Sequence, residues 1–300
     1  MRRTLPALIA LAVIAGAALT GCSSSTVGAS SDCTVKSGGG SESIRATGAF
    51  GKDPEAKVPS PLNVKKAQST TLITGDGKKV GTGGVAEVYL TLFDGATGQL
   101  GAQTSANLVP VTSKSLGAGL ADAISCATVG SRLAVVLPPK EAALFNAPSG
   151  DSLAAIVDIS SAYPDRATGS RRAATPGFPT VVLAPNGQPG IVLGSHDEPT
   201  KVKTAVLKQG DGAVAKKSDS LIVQTQTVNW SDPQTASGTW ENGSATAQTL
   251  SDGSALSQAL IGKKVGSQII VLLPASKSDS GQASATVVDI LGRLPGTAQQ

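Results

Sequence analysis

Residues 119–131 read GLADAISCATVGS and residues 255–267 read ALSQALIGKKVGS, two stretches 255 − 119 = 136 positions apart in a chain of 300 residues. Leu120, Ala123 and Ile124 in the first, and Leu256, Ala259 and Leu260 in the second, recur at i, i+3 and i+4. That is the spacing of one face of a short helix. Each stretch runs into an apolar segment stopped by proline, LAVVLPP (133–139) and IIVLLPA (269–275), and later into a second, AAIVDI (154–159) and ATVVDI (285–290). Both kinds of segment read as strands.

The echo extends upstream. LITGDG (72–77) and LKQGDG (207–212) share L-x-x-G-D-G at 207 − 72 = 135, and Gly-Asp-Gly is a turn spelling. GGVAEVYLTLF (83–93) and SDSLIVQTQTV (218–228) alternate as exposed-edge strands do. Each half therefore reads as an antiparallel sheet with one short helix laid on it, an α+β arrangement made twice. Two copies are too few for a solenoid. A segment around DRATGSRRAAT (165–175) divides them, with the linker placed at 164–176.

Composition agrees, since 40% apolar and 15% charged residues suit two modest packed cores. Aromatic content is only 3%: Phe50, Tyr89, Phe93, Phe145, Tyr163, Phe178, Trp230 and Trp240 serve every core and every pocket. With so few aromatics and no Lys/Arg stripe, no footprint for nucleic acid is expected. Arg171-Arg172 reads as part of a solvated linker. His196, in the polar turn SHDEP, reads as a solvated loop residue. One histidine and no carboxylate-histidine cluster fit a protein expected to use no metal and no cofactor, whether or not it is an enzyme.

The N-terminus carries its own signal. Met1-Arg2-Arg3 is basic, Leu5 to Leu19 is an apolar run of about 15 residues, and Leu19-Thr20-Gly21-Cys22 closes it with small residues before a cysteine. The run is shorter than the ~20 residues of a spanning helix. It resembles a bacterial lipoprotein signal (1–21), which implies a Cys22 that becomes the new N-terminus and carries the lipid. Two or three acyl chains hold a protein to a membrane where one gives only marginal binding. The expected location is extracytoplasmic, lipid-anchored to the cell membrane. Loss of Arg2 and Arg3 lowers the formal charge from +4 to 4 − 2 = +2. Ser/Gly-rich residues 22–44 read as a flexible tether with a reach of ~25 Å. Cys33 and Cys126 then remain as an even pair in a compartment where disulfides persist. They are expected to pair, the alternative being a Cys126 that packs as a small buried hydrophobe.

The pattern G-L-x-x-A-L-x-G-x-x-V-G-S-x-x-x-V-x-P-P resembles the FKBP-type peptidyl-prolyl cis-trans isomerases, over residues 45–163 and 177–292, with 293–300 as a tail. The resemblance implies two tandem FKBP-like domains and an activity that needs no nucleophile. Rotation about a peptide bond is opposed by ~18–20 kcal/mol, and only X-Pro has a small cis/trans gap. The family holds the prolyl ring in a shallow apolar pocket that favours the twisted state. Proline-containing polypeptides are the implied clients. Carried over residue by residue, the pocket falls on Tyr89 and Leu120 in copy one and on Leu256 and Trp240 in copy two. Tyr89 makes copy one the expected active copy. Thr225 stands at the tyrosine position of copy two, the F-D-S-S segment is absent from both, and the closing-strand phenylalanine becomes Ala155 and Thr286. A non-catalytic FKBP-like binding lipoprotein is the alternative.

Overall fold

The computed structural model describes residues 33–148, 150–242 and 244–294; the signal at 1–21, Cys22 and residues 295–300 lie outside them. The described residues open with a one-turn helix α1 (Gly39–Glu42) and a small hairpin of β1 (Arg45–Thr47) and β2 (Glu55–Lys57). The first large sheet follows from β3 (Gln68–Ile73), β4 (Val85–Asp94), β5 (Leu100–Gln103), β6 (Asn107–Pro110), β7 (Arg132–Leu137) and β8 (Leu153–Tyr163). Its order is β3-β7-β8-β4-β5, with β6 also on β4. Helix α2 (Ser113–Cys126) precedes β7, and α3 (Pro139–Ala142) follows it.

The second half has a two-residue strand β9 (Ser170–Arg171), a hairpin of β10 (Thr180–Leu183) and β11 (Pro189–Val192), and then β12 (Lys203–Gln209), β13 (Ser220–Asn229) and β14 (Asp232–Ser237). Helix α4 (Thr239–Asn242), β15 (Thr246–Thr249), α5 (Ala255–Leu260), β16 (Gln268–Leu273) and β17 (Ser284–Leu294) complete it. The order is β14-β13-β17-β16-β12-β9, with β15 also on β13. All strand pairs of both large sheets are antiparallel. Mostly antiparallel sheet with few short helices is the α+β composition expected of an FKBP-like fold.

Both faces of each sheet are covered. In the first, Ala86, Val88, Leu92, Ala155 and Val157 pack with Leu120 and Ile124 of α2, while Phe93, Ala154 and Ile156 pack on the far side with Ile44, Val58 and Leu62. In the second, Val223, Val271, Val288 and Ile290 pack with Leu260, while Val228, Ile270 and Val287 meet Phe178, Ile191 and Leu193. Burial on both faces explains why β7 after Arg132 and β16 after Gln268 are continuous apolar runs rather than alternating ones. Between the sheets, Val85, Ile222, Ala245 and Leu291 form a small cluster with Tyr163 against it.

Three expectations are corrected. β4 and β13 are not edge strands: β4 is bonded by β8 on one side and by β5 and β6 on the other, and β13 by β17 on one side and by β14 and β15 on the other, because the short strands that follow each of them fold back onto its free edge. Residues 33–44 of the expected tether are ordered by α1, by a Lys36–Gln68 bridge and by Cys33, bonded to Cys126 with a Cα–Cα distance of 5.8 Å. The expected linker joins the second sheet, as β9 pairs with Lys208 and Gln209 and the Ala167 amide donates to Asp289.

The L-x-x-G-D-G echo has a steric cause. Gly75 and Gly210 lie against the V-G-S turns of their own copies, where an added Cβ would sit 2.2 Å from the Val129 and Val265 carbonyl oxygens respectively. The Gly75 and Gly210 amides donate to Ser131 Oγ (3.0 Å) and Ser267 Oγ (2.9 Å). The two motifs are thus halves of one clasp, closing β3 onto β7 and β12 onto β16. Gly75→Ala and Gly210→Ala are each expected to cost about 1–3 kcal/mol by overpacking, whereas Gly39→Ala, with open space around it, is expected to be neutral or mildly stabilising. Thermal unfolding of the three variants checks this, and a Gly75→Ala melt equal to that of Gly39→Ala would refute the clasp.

Candidate functional site

The groove between helix and sheet is built twice and finished differently. In copy one the Thr112 hydroxyl caps α2 by accepting the Ser115 amide (3.3 Å), and the helix kinks at Gly117, whose φ is +76°. The part after the kink corresponds to α5, since 255 − 119 = 136. In copy two that segment is capped by Ser254, whose hydroxyl accepts the Ser257 amide (3.3 Å). Ala118 stands at that place in copy one and has no oxygen to offer. Glu141 reaches across from α3 instead, and its Oε2 accepts the Gly119 amide at 2.6 Å. A carboxylate suits the positive end of a helix.

That bond pulls residues 139–147 down over copy one. Ala142 is fully buried, Phe145 packs on the core, and Leu120 beneath them is 0% exposed. Copy two has only residues 275–277 as a 3₁₀ turn there, all solvent-exposed, and Leu256 remains half-buried. The groove floor differs as well. Leu90, Leu92 and Ala155 of copy one become Thr225, Thr227 and Thr286 (offsets 225 − 90 = 135, 227 − 92 = 135 and 286 − 155 = 131). Thr227 and Thr286 are cross-strand partners with their hydroxyls 2.9 Å apart. Copy one thus has a filled apolar groove, and copy two an accessible one with hydroxyls at its base.

The residues expected to form a pocket are only partly brought together. Tyr89 and Leu120 lie on opposite faces of the first sheet: Ala86, Val88 and Leu92 face α2, while Tyr89 alternates away and lays its ring on the Gly51 loop, 3.3 Å from where a Cβ would be. Phe93 shares that far face, and Phe145 is on the α2 side. In copy two, Leu256 packs on the core that includes Leu221 and Val223 of β13. Trp240 sits on α4, which packs on the same strand. The neighbouring Thr239 accepts the Thr225 amide at 2.7 Å. Trp240 Nε1 is buried with no hydrogen-bond partner. Trp230 lies on the far face and donates to the His196 carbonyl (2.8 Å). Sequence reasoning misses Glu141 and Thr227; the break of apolar alternation in QTQT (224–227) is the available signal for the latter.

Solved structures similar to this chain include FKBP proteins and peptidyl-prolyl cis-trans isomerases. The three FKBP domains of wheat FKBP73 match at 12% identity, covering 76% of this chain and 94% of that one, with a TM-score of 0.34. The putative peptidyl-prolyl cis-trans isomerase FKBP12 from Mycobacterium tuberculosis matches at 23% identity over 38% of this chain and 93% of that one, with a TM-score of 0.26. FkpA from Escherichia coli matches at 17% identity over 39% and 53%, with a TM-score of 0.29. No family model and no curated protein matches the chain.

Behind the grooves the two copies hold a buried acid in different ways. Asp158 is paired with Arg132, and the corresponding Asp289 (289 − 158 = 131) with Gln268 (268 − 132 = 136). Desolvation pushes the Asp289 carboxyl above its ordinary value, against the lowering bonds from the Ala167 amide (3.1 Å) and Gln268 Nε2 (2.6 Å). A raised folded-state value means that the folded protein binds the proton more tightly than the unfolded chain. The contribution of Asp289 to stability is therefore full below about pH 3.8, the reference value, and is lost as pH rises through the folded-state value. Urea unfolding from pH 4 to 7 is expected to show this falling component in the native protein and not in Asp289→Asn. Identical pH slopes for the two proteins would refute it.

Proposed function

We propose that this protein is a membrane-anchored FKBP-type peptidyl-prolyl cis-trans isomerase that assists folding of exported polypeptides. The anchor is lipidated Cys22, and the catalytic groove is that of copy two. The observation that carries the reading is the helix-over-sheet groove at Leu256, which is accessible, has an apolar wall and carries the hydroxyls of Thr225, Thr227 and Thr286 at its base. An X-Pro bond seated there loses part of its hydration, the ring rests on Leu256, and a hydroxyl can donate to the twisted imide. These interactions favour the transition state over either planar isomer. The extended resemblance to the V-G-S-x-x-x-V-x-P-P pattern supports the same reading, as does a Cys33–Cys126 bond in an oxidising compartment. Copy one serves as a non-catalytic partner, since Leu120 has no exposed surface to offer a ring.

The full chain is expected to accelerate cis-to-trans conversion of a short X-Pro peptide above the spontaneous rate. Leu256→Ala lowers kcat/KM about tenfold, the loss of roughly one apolar side-chain contact. Tyr89→Ala leaves the rate unchanged. A folded protein with no acceleration overturns the isomerase reading. The second reading, a non-catalytic FKBP-like module that holds chains, is favoured by the filled groove of copy one and is then the one that remains.

A further inference from the structure

A cavity of about 440 Å³ lies on the second sheet, on the face away from α5. It is lined by the apolar side chains of Phe178, Val181, Leu183, Ala205 and Leu207, by the buried Lys208 and Gln268, and by the exposed Arg171 and Arg172. No carboxylate lines it. Lys208 is committed, with Nζ donating to the Ala167 carbonyl at 3.1 Å. Arg171 and Arg172 are exposed, and among the described residues their guanidinium groups enter no ion pair and no side-chain hydrogen bond. They are nevertheless placed: Arg171 is paired in β9 with Lys208, and the Arg172 amide donates to the Leu207 carbonyl at 2.9 Å. The pair expected to lie in a solvated linker is therefore held at a cavity that has an apolar wall and a polar one.

Beside that cavity the sheet has an open edge. β12 is bonded to β16 from Lys203 to Lys208, but on its other side β9 covers only Lys208 and Gln209. Among the described residues no other segment bonds to the backbone of Lys203–Val206. An unpaired strand edge is a template for an added strand.

We propose that this site takes the C-terminal end of an extended polypeptide whose last side chain is apolar. The chain adds as a strand on Lys203–Val206, the last side chain enters the cavity, and the free carboxylate meets Arg171 and Arg172. The volume falls in the range of ligand pockets, and a guanidinium fork matches a carboxylate in charge and shape. The open edge decides between a peptide and a fatty acid, because only a peptide can use those backbone groups. The site is distinct from the groove at Leu256 and does not depend on isomerase activity.

The test uses the full chain and a fluorescein-labelled peptide, Val-Thr-Val-Thr-Leu, with a free carboxylate. Fluorescence anisotropy is expected to show saturable binding that weakens about tenfold or more in the C-terminal amide and in Arg171→Ala/Arg172→Ala. Hydrogen exchange at the Lys203–Val206 amides is expected to slow with the carboxylate peptide bound, while Leu256→Ala binds as the native protein does. The proposal is overturned if the peptide fails to bind, if the amide binds equally well, or if decanoate binds and the peptide does not.

Discussion

Arg132→Met is expected to destabilise the protein by about 3–5 kcal/mol, the cost of removing one partner of a buried ion pair. Arg132 is 0% exposed and Asp158 2%. Nε and Nη2 donate to the two Asp158 oxygens at 2.6 and 2.7 Å, and Nη1 and Nη2 donate to the Gly48 and Ala49 carbonyls, both at 3.0 Å. The Asp158 hydrogen bond raises the hold of the guanidinium on its proton, so the group stays charged. Methionine fills much of the volume but donates nothing. It leaves Asp158 with the Gly51 amide (2.7 Å) as its remaining donor, and it frees the Thr47, Gly48 and Ala49 carbonyls. The chemically milder Arg132→Gln is expected to cost nearly as much, although glutamine serves at the matching place in copy two. There the acid also has Lys208 near it, and the position matching Lys208 in copy one is Ile73 (208 − 135 = 73). Urea unfolding midpoints measure the effect. The double variant Arg132→Met/Asp158→Leu should recover a large part of the loss, because it removes the stranded charge. A cost below about 1 kcal/mol for Arg132→Met would show that water reaches Asp158 as easily as it reaches a surface carboxylate.

The internal repeat makes most of the sheet framework legible in the amino-acid sequence. Periodicity marks a residue's face only relative to its neighbours, and this sets the limit. The i, i+3, i+4 pattern of Leu120, Ala123 and Ile124 locates a helix because one side of a lone helix must be buried. The alternation of β4 does not say which side meets α2, since both faces of that strand are packed, and a pocket drawn from sequence therefore puts Tyr89 in the wrong layer. Strand neighbours are also beyond reach: whether β4 is an edge depends on β5 and β6, whose four residues each, LGAQ and NLVP, are too short for an alternation to show. The Glu141–Gly119 bond that closes copy one joins residues 22 positions apart and rests on one side chain. Nothing in local composition marks such a contact. The 33–44 segment reads as a tether because Ser and Gly dominate it, yet its order comes from the cross-link and from Gln68, whose Oε1 accepts the Gly40 amide at 2.9 Å.

Reduction of Cys33–Cys126 is expected to cost about 2–5 kcal/mol. The bond closes a loop across a sequence separation of 93, and cross-linking restricts the unfolded chain more the longer the loop it closes. The folded side of the balance points the same way. Cys126 ends α2 and Cys33 begins the described chain, so the bond fastens the N-terminal segment to the helix that lies over the first groove. Asp122, one turn earlier on α2, adds to the fastening by accepting the Thr34 and Val35 amides at 2.9 and 2.7 Å. Without the cross-link these exposed or part-buried bonds are left to hold residues 33–36 alone, and the parallel bridge of Lys36 to Gln68 depends on that segment. Cys33→Ser/Cys126→Ser is therefore expected to unfold at a lower midpoint and to expose amides around residues 33–44 to hydrogen exchange well before the rest of the first sheet. Asp122→Asn in the oxidised protein should reproduce the local exchange effect weakly and the midpoint shift hardly at all, because it leaves the loop closed. If the serine pair unfolds at the native midpoint, the unfolded chain already holds its N-terminal segment near α2, and the stabilisation comes from elsewhere in the first sheet.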